Sequence, residues 1–298
     1  MTKHEPAAAA GVRPRVSMVL PVHNGAEFLA AAIASVLAQN FADFELICVD
    51  DASTDCSPSI LAAAARADSR VRIIRQDHNI GLPATLNAGF RAARGQYFSW
   101  TSDDNLLRPQ MLATLVAVLD ANPGCGVAHS DYTIINPGGE VIDTIRPQPV
   151  AELLLGNHVG ASFLYRRAVD HALGGYDSTL FGAEDYDFWL RASAHFAFLQ
   201  VPQDLYLYRK HPRSLTNSRA AAIQSLTTEV VLRAMPASHP RAARAAVLLG
   251  QYRRNYFRLR LDLVARELVA APLATAGQGP GIAWHALRVL RQRWRRNL

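Results

Sequence analysis

The sequence contains few cysteines and no long apolar run, and these shortages exclude several classes of protein. Its three cysteines, Cys48, Cys56 and Cys125, are odd in number and form no Cys-x-x-Cys pair. This pattern argues against a disulfide framework and a structural zinc site, and it is typical of a reducing compartment. No apolar run approaches the roughly 20 residues that a membrane-spanning helix needs, and the start of the chain lacks a signal peptide's apolar core. We therefore expect a cytoplasmic protein.

Two nucleotide-binding loops are also missing. The first β-like run is followed by residues 21–25, of sequence PVHNG, rather than by Gly-x-Gly-x-x-Gly, which argues against a nicotinamide-dependent oxidoreductase. No Gly- and Lys-rich triphosphate loop lies near Pro21, which argues against a nucleotidyltransferase. Much of the net charge of +6 lies after Arg241, and because no recognition module accompanies it we expect no nucleic-acid partner.

What the sequence does contain is a regular alternation of strand and helix signals over its first hundred residues. Apolar runs of β character lie at residues 15–20, 44–49, 71–74 and 96–100, and helical patterns lie at residues 27–39, 58–66 and 83–94. Four strands separated by helices indicate βαβ units, so we predict an α/β, Rossmann-like, mainly parallel sheet with helices on both faces. Short alternating stretches between residues 127 and 145 predict a small antiparallel extension.

Polar residues follow each of these four strands. In parallel sheets of this kind the ligand site lies at the carboxyl ends of the strands. The rule places the following residues along one edge: Asn24, Asp51, Asn79, Asp103 and Asp104.

The adjacent carboxylates Asp103 and Asp104 carry the strongest chemical signal on that edge. Neighbouring carboxylates repel each other, so a chain that places two at the end of a buried strand usually has a cation nearby. Mg²⁺ and Mn²⁺ prefer oxygen ligands and are candidates. The alternative is that the pair caps the next helix, where Asp is also favoured. The other polar strand ends on the same edge shift the balance toward a metal.

Two clusters of charge lie further along the chain. Glu184 and Asp185 begin a helical pattern after a Gly-containing loop, where they either complement the helix macrodipole or project into a cleft. Arg209, Lys210, His211 and Arg213 form a cationic segment with hydroxyl residues up to Thr216, which suits a ligand that carries phosphate.

The sequence predicts three segments, namely a disordered leader at residues 1–14, a catalytic domain at residues 15–218 and a helical, basic C-terminal region at residues 219–298. An apolar seam from Leu249 to Leu263 packs either on the catalytic domain or in a homodimer. The last helical pattern combines Trp284 and Trp294 with several arginines. It is compatible with peripheral contact to an anionic membrane surface or with a solvated basic helix that docks through its apolar side.

Six motifs occur in an order that resembles the family 2 glycosyltransferases of the GT-A fold. The resemblance covers about residues 16–216 and leaves the leader and the tail outside it. The motifs are Val19-Leu20-Pro21-Val22-His23-Asn24-Gly25, Val49-Asp50-Asp51-Ala52-Ser53-Thr54-Asp55, Asn79-Ile80-Gly81, Trp100-Thr101-Ser102-Asp103-Asp104-Asn105, Glu184-Asp185 and Tyr208-Arg209-Lys210-His211.

The resemblance implies transfer of a sugar from a nucleotide-diphosphate donor to an acceptor hydroxyl, with inversion at the anomeric carbon. It implies that Mn²⁺ or Mg²⁺ is held by Asp104 as the first choice of ligand, with Asp103 as a further metal ligand or a contact to the ribose. His211 is a ligand of the metal or a contact to the diphosphate. By the same resemblance Asp185 is the base that removes the acceptor proton, and Glu184 is the second choice.

The donor-binding residues are also assigned by resemblance. Asp51 matches the position that accepts a hydrogen bond from the nucleotide base, and the loop beside it contains Pro21, His23 and Asn24. The alternative for Asp51 is a turn carboxylate bonded to the amides of Ser53 or Thr54.

Three further residues complete the donor assignment. Asn79 and Gly81 lie near the base or ribose, or form only a turn. Arg209 is a candidate to bridge phosphates, and a plain cationic surface loop is its alternative. The chain departs from the family at Thr101, where many members carry a carboxylate.

These features favour a hexosyltransferase that uses a UDP- or dTDP-sugar, with a glycan or lipid-linked acceptor in cell-surface polysaccharide or glycolipid assembly. The rival from another class is a catalytically silent nucleotide-sugar binding or scaffold protein at a membrane assembly. The intact carboxylates Asp103, Asp104 and Asp185 count against that rival.

Overall fold

The computed structural model describes residues 13–235, together with residues 247 and 269. Strands and helices alternate through the first hundred described residues, as the sequence predicts. They are β1 (Val16–Val22), α1 (Ala26–Leu37), β2 (Phe44–Asp50), α2 (Ser57–Ala67), β3 (Val71–Arg75), α3 (Leu82–Ala92) and β4 (Tyr97–Trp100).

The second half is more irregular, and strands there are separated by loops as often as by helices. Its elements are β5 (Leu106–Leu107), α4 (Met111–Ala121), β6 (Cys125–Ile135), β7 (Val141–Ile145), a 3₁₀ helix (Val150–Leu155), β8 (Phe163–Arg166), α5 (Arg167–Leu173), α6 (Glu184–Ser193), β9 (Ala197–Arg209), α7 (Leu215–Ser218) and α8 (Ala220–Ala234).

Nine strands form one mixed sheet in the order β3-β2-β1-β4-β8-β6-β9-β5, with β7 paired to β6. The first four strands are parallel, and Val16 of β1 lies beside Phe44 of β2 and Tyr97 of β4. Strand β8 joins β4 and β6 by antiparallel ladders, and β7 forms an antiparallel hairpin with β6. The predicted parallel sheet and antiparallel extension are both present, and β9 adds a parallel pairing with β6.

Helices cover both faces of the sheet, which explains why β1 and β2 are continuous apolar runs. Alternate side chains of each strand enter two different cores. On one face Met18 and Leu20 pack with residues of α1, α2 and α4, and on the other face Val19 and Ile47 pack with residues of α3, α5, α6 and α8.

Helix α8 packs on the core beyond the predicted domain boundary at residue 218. Its residues Val230 and Val231 are buried in the same core as Trp189 of α6. The predicted seam from Leu249 to Leu263 and the predicted basic helix with Trp284 lie outside the described residues, as do residues 1–12 of the predicted leader. Within the described part of the chain, no helix combines the length and apolar character that would let it span a membrane.

One buried carboxylate connects the amino ends of neighbouring strands, at the edge of the sheet opposite to the polar residues. Glu45 of β2 is 2% exposed, and its carboxylate accepts hydrogen bonds from Ser17 Oγ and Arg94 N, both at 2.8 Å. Arg72 Nη1 lies 2.6 Å and Arg94 Nη2 3.0 Å from its other oxygen. Burial alone raises the pKa of Glu45, but these hydrogen bonds outweigh it and bring the pKa below 4.5.

Replacing Glu45 by Gln should therefore lower the free energy of unfolding by about 2–4 kcal/mol at neutral pH, because the arginines lose their buried charge partner. A carboxylate with a lowered folded pKa stabilises the protein above its unfolded pKa and loses this effect as the pH falls through the folded pKa. Urea unfolding at several pH values measures both effects. The difference between wild type and E45Q should shrink in acid, and a difference that grows in acid would contradict the assignment.

A matched control is Arg72→Gln. The Arg72 side chain is 38% exposed, so solvent screens its half of the ion pair. Its loss should cost about 1 kcal/mol or less.

Candidate active site

The loops after β1, β2, β3 and β4 meet at the carboxyl edge of the sheet and surround a cavity of about 470 Å³. We call it the strand-end cleft. Its lining contains nine of the predicted site residues, which are Pro21, His23, Asn24, Asp51, Asn79, Gly81, Asp103, Asp104 and His211.

A second cavity of about 450 Å³ lies beside the first, and we call it the aromatic cavity. The predicted residues Glu184 and Asp185 line it together with Asp104. Five residues line both cavities, so the two spaces meet at a shared wall. They are Leu82, Ser102, Asp104, Ser214 and Leu215.

Asn24 holds the loops after β1 and β2 together. Its backbone has φ of 55°, a left-handed conformation that Asn adopts more readily than most residues. Its side-chain oxygen accepts a hydrogen bond from Thr54 N at 2.8 Å, and its own N–H donates to Ser53 Oγ at 3.0 Å. His23 Nδ1 lies 2.7 Å from the backbone oxygen of Asp51. These contacts give one wall of the cleft a fixed shape.

Asp51 connects the loops after β2 and β3. Its two carboxylate oxygens accept hydrogen bonds from Ile80 N at 2.8 Å and Gly81 N at 3.0 Å. Gly81 has φ of 83°, a conformation that favours glycine, and its N–H also donates to Asn79. The alternative that Asp51 bonds to Ser53 or Thr54 is wrong in its partners, because the Ser53 amide donates to Asp50 at 2.9 Å.

Asp103 is packed against the backbone of Gly25. A Cβ placed on Gly25 would lie 2.5 Å from Asp103 Cγ, so only glycine leaves room for this carboxyl group. Burial and the charge of Asp104 raise the pKa of Asp103 to about 7.

Asp104 has one carboxylate oxygen with a partner and one without. Oδ2 lies 3.0 Å from His211 Nε2, whereas Oδ1 is buried and has no hydrogen-bond partner among the described residues. Burial raises the pKa of Asp104, although the hydrogen bond to His211 opposes this effect. A buried carboxylate oxygen without a partner is the arrangement that a cation would satisfy.

The donor set fits Mg²⁺ or Mn²⁺ only in part. Across the described chain, no three His, Cys, Asp or Glu side chains are gathered closely enough to hold a metal by themselves. Mg²⁺ commonly takes one or two carboxylates and fills its other positions with water and substrate phosphates. The oxygens of Asp104 and Asp103 and the imidazole of His211 suit that incomplete kind of site.

Thr101, where many family members carry a carboxylate, does not face either cavity. It is 1% exposed, and its hydroxyl lies 2.7 Å from Tyr206 OH in the interior. Where many family members have a carboxylate, this chain has a threonine whose hydroxyl forms a buried hydrogen bond.

Glu184 and Asp185 begin α6, but their carboxylates point to different partners. Glu184 folds back and accepts a hydrogen bond from Gly182 N at 2.5 Å, and burial together with the charge of Asp185 raises its pKa to about 8. Asp185 accepts hydrogen bonds from its neighbour Tyr186 N at 2.7 Å and from Asn157 Nδ2 at 2.8 Å. Burial raises the pKa of Asp185 as well. This geometry favours Asp185 as the reactive carboxylate.

Arg209 lines neither of the two cavities. Its side chain binds backbone oxygens instead of facing a space that phosphates could occupy. It is 6% exposed, and its guanidinium donates to the backbone oxygens of Asp104 at 2.9 Å and Pro137 at 2.7 Å. The guanidinium also lies over the Phe28 ring. Arg209 therefore supports the backbone of Asp104, and Arg213 is the arginine that lines the strand-end cleft.

Arg213 lies within the predicted cationic segment, but the sequence assigned no role to Gly25 or Asn157. Gly25 belongs to the first motif and so had a local signal. Asn157 had none, because its contact with Asp185 joins positions 28 residues apart in an irregular loop.

Replacing Gly25 by Ala should displace Asp103 and weaken Mn²⁺ binding by about tenfold, since residues that orient a ligand typically contribute 10–100-fold to metal affinity. The measurement is a titration of free Mn²⁺ by electron paramagnetic resonance. Gly124→Ala is the matched control, because no heavy atom of the described chain lies within 4 Å of a Cβ there. Equal Mn²⁺ affinity in G25A and wild type would show that Asp103 is not part of the metal site.

Sequence comparison finds relatives that are longer than the matched region. The chain is 32% identical over 215 residues to the uncharacterized protein y4gI of Sinorhizobium fredii, a match that covers 70% of this chain and 24% of that protein. It is 31% identical over 218 residues to the uncharacterized glycosyltransferase EpsJ of Bacillus subtilis, covering 68% and 63%. The O-antigen biosynthesis protein RfbC of Myxococcus xanthus is 30% identical over 220 residues, covering 72% and 17%. The chain thus spans less than two thirds of the length of each relative.

Solved structures show the same architecture. TarS of S. aureus in complex with UDP-GlcNAc has a TM-score of 0.66 at 18% identity, covering 83% of this chain and 77% of that chain. The mannosyltransferase PcManGT of Pyrobaculum calidifontis in complex with GDP-Man and Mn²⁺ has a TM-score of 0.65 at 21% identity, covering 95% and 85%. At these identities the likeness concerns the fold alone, and it confirms the predicted α/β, GT-A architecture.

The family model described as glycosyl transferase family 2 matches residues 17–174, which is more than half of the chain. The matched region contains β1 to β4 and the carboxylates Asp103 and Asp104. The chain belongs to glycosyl transferase family 2.

Proposed function

We propose that this protein is an inverting, metal-dependent glycosyltransferase that moves a hexose from a nucleotide-diphosphate sugar to an acceptor hydroxyl. The observation that carries the proposal is the position of two carboxylates around the junction of the two cavities. Asp104 lies at the shared wall, and Asp185 lies in the aromatic cavity beyond it.

The strand-end cleft is the proposed donor site. Asp51, Asn79 and Gly81 lie where the nucleotide would bind, and Arg213, which is paired with Glu27, would supply a cationic group for the diphosphate. The ligands of two structural neighbours support a donor of this class, since TarS is in complex with UDP-GlcNAc and PcManGT with GDP-Man and Mn²⁺. We favour UDP- or dTDP-sugars with Mn²⁺ or Mg²⁺.

Asp104 is the side chain that would hold the cation first, and Asp103 or His211 would add a ligand beside water and the donor phosphates. When bound there, the cation would offset the negative charge that develops on the departing diphosphate. The buried position of Asp104 strengthens that effect, because water screens charge less well in a closed site.

Asp185 is the proposed general base. As the acceptor oxygen attacks the anomeric carbon, the bond from that carbon to the diphosphate breaks, and the acceptor proton passes to the Asp185 carboxylate. Inversion requires the acceptor oxygen to attack from the face opposite to the diphosphate, and an acceptor in the aromatic cavity would approach a donor in the strand-end cleft across the shared wall. Glu184 is less suited to this role because it is folded onto Gly182.

The name of RfbC, an O-antigen biosynthesis protein, supports a role in cell-surface polysaccharide assembly. We propose a glycan or lipid-linked acceptor. We also propose a catalytic domain at residues 15–218 and a helical region at residues 219–298 whose first helix, α8, packs on the core of that domain. We further propose that the protein works at the cytoplasmic side of the membrane. The helical region would contact the membrane surface or a second copy of the chain.

The first test is release of nucleoside diphosphate from UDP-, dTDP- and GDP-sugars in the presence of Mn²⁺. Asp104→Ala should reduce release by about 100-fold or more, because the leaving group loses its cation. Asp185→Asn should reduce kcat by about 10²–10⁴-fold with donor affinity almost unchanged. Asp143→Asn, at an exposed carboxylate on β7, is the matched control and should behave as wild type.

Two results would contradict this proposal. Wild-type protein that binds donors yet never releases the diphosphate would support a scaffold role. Full turnover by D185N would remove Asp185 from the mechanism.

The pH profile gives a second test. A base must be deprotonated, so kcat/KM should fall in acid with an apparent pKa above the usual range of an aspartate, because burial raises the pKa of Asp185. The amide of Asn157 stabilises the charged carboxylate, so Asn157→Ala should move this limb to higher pH by about one unit. Asn122→Ala, at an exposed position, should not move it. A limb that stays in place in N157A would show that Asn157 does not act on the base.

A further inference from the structure

The aromatic cavity has an unusual balance of charge. Three carboxylates and six aromatic rings line it, and within residues 13–235 neither lysine, arginine nor histidine contributes to its wall. The carboxylates are Asp104, Glu184 and Asp185, and the rings are Trp100, Tyr132, Phe163, Tyr186, Tyr206 and Tyr208.

The strand-end cleft is lined differently. It contains five carboxylates, but it also contains Arg213, which is paired with Glu27, and the imidazoles of His23 and His211. Phosphate groups therefore find hydrogen-bond donors on basic side chains on one side of the shared wall, whereas the described wall on the other side offers none. The two cavities thus differ in their basic side chains.

We propose that the acceptor sugar that enters the aromatic cavity carries no anionic group, so that phosphorylated sugars and uronic acids are excluded. The inference rests on the proposed function in identifying the occupant as the acceptor. The donor diphosphate would neutralise a cation held at Asp104, so an anionic group beside Asp185 would lose its hydration shell without gaining a basic side chain as partner, and that loss disfavours binding.

The rings supply the attraction for an uncharged sugar. The C–H groups of a sugar ring are weakly positive and suit the negative face of an aromatic ring. The backbone of Gly160 packs directly on the Tyr132 ring and fixes its position. The contact is so close that a Cβ added to Gly160 would lie 2.5 Å from Tyr132 Cε1. The Tyr208 ring lies edge-on to it at 6.3 Å.

Other contacts keep the cavity in one shape. Trp100 Nε1 donates to Tyr176 OH at 3.0 Å, and Tyr208 OH lies 3.0 Å from Thr216 Oγ1. Burial and then the charges of Asp104 and Asp185 raise the pKa of Tyr208, which is consistent with a negative potential in this cavity. Polar side chains such as Asn157 and Thr227 offer hydrogen bonds to sugar hydroxyls without adding charge.

The test is saturation-transfer NMR with the full chain and pairs of probes at equal concentration. The neutral probes are methyl glucoside, methyl galactoside and methyl N-acetylglucosaminide, and the anionic probes are methyl glucuronide, methyl galacturonide and glucose 6-phosphate. At least one neutral glycoside should bind about tenfold or more tightly than its anionic counterpart, because like charges in a closed site repel.

Substitutions in the lining of the aromatic cavity test whether the glycoside binds there. Tyr132→Ala should weaken the neutral glycoside about fivefold to tenfold, and Tyr132→Phe, which keeps the ring, should retain binding. Thr227→Lys adds a cation to the wall and should improve binding of the anionic probes with little change for the neutral ones.

Three outcomes would overturn the inference. They are equal binding of a uronide and its neutral counterpart, neutral binding that is unchanged in Y132A, and the absence of any neutral binding to the wild type. The NMR measurement does not require turnover, so a failed donor assay and a failed acceptor inference are distinguishable.

Discussion

Repulsion between the adjacent carboxylates of Asp103 and Asp104 is the constraint on which the site depends. Both are held at the end of β4, where burial raises the pKa of each. Gly25 leaves room for one carboxyl group, and His211 partly compensates the other. Arg209 binds the backbone oxygen of Asp104 and so fixes the turn. This confinement of two carboxylates is the reason for proposing a cation at this site.

The parallel strands bring these two carboxylates to the same edge of the sheet as the other loops of the site. Because β1, β2 and β4 are in register, their following loops all reach the same edge of the sheet. The Asp51 carboxylate then ties the loops after β2 and β3 into one wall. The antiparallel strands and α6 add a second cavity across Asp104, in which aromatic rings replace cations. One shared wall thus separates a space suited to phosphate from a space suited to an uncharged sugar.

Local sequence patterns predicted the strand ends well for a physical reason. Continuous apolar runs such as those of β1 and β2 occur where both faces of a sheet are buried, and the polar residues that follow mark the edge. The positions of Asp103 and Asp104 at that edge therefore follow from the local pattern alone.

Long-range contacts were less accessible from the sequence. The parallel pairing of β6 with β9 includes register shifts that no local pattern encodes. The orientation of Arg209 also depends on such contacts, because its guanidinium binds backbone oxygens from residues about 70 and 100 positions earlier in the chain. The hydrogen bond from Asn157 to Asp185 is also a long-range contact that no local pattern predicts.

If Asp104 holds a divalent cation against the diphosphate of a donor, it should raise the affinity of the UDP complex for Mn²⁺. The most direct measurement is ³¹P NMR of UDP bound to the full chain during titration with Mn²⁺, with free UDP as the reference. We predict that the phosphate resonances of UDP bound to the wild type broaden at an Mn²⁺ concentration about tenfold lower than for free UDP or for UDP bound to Asp104→Asn. Equal broadening in both proteins would contradict the assignment of Asp104 as the metal ligand.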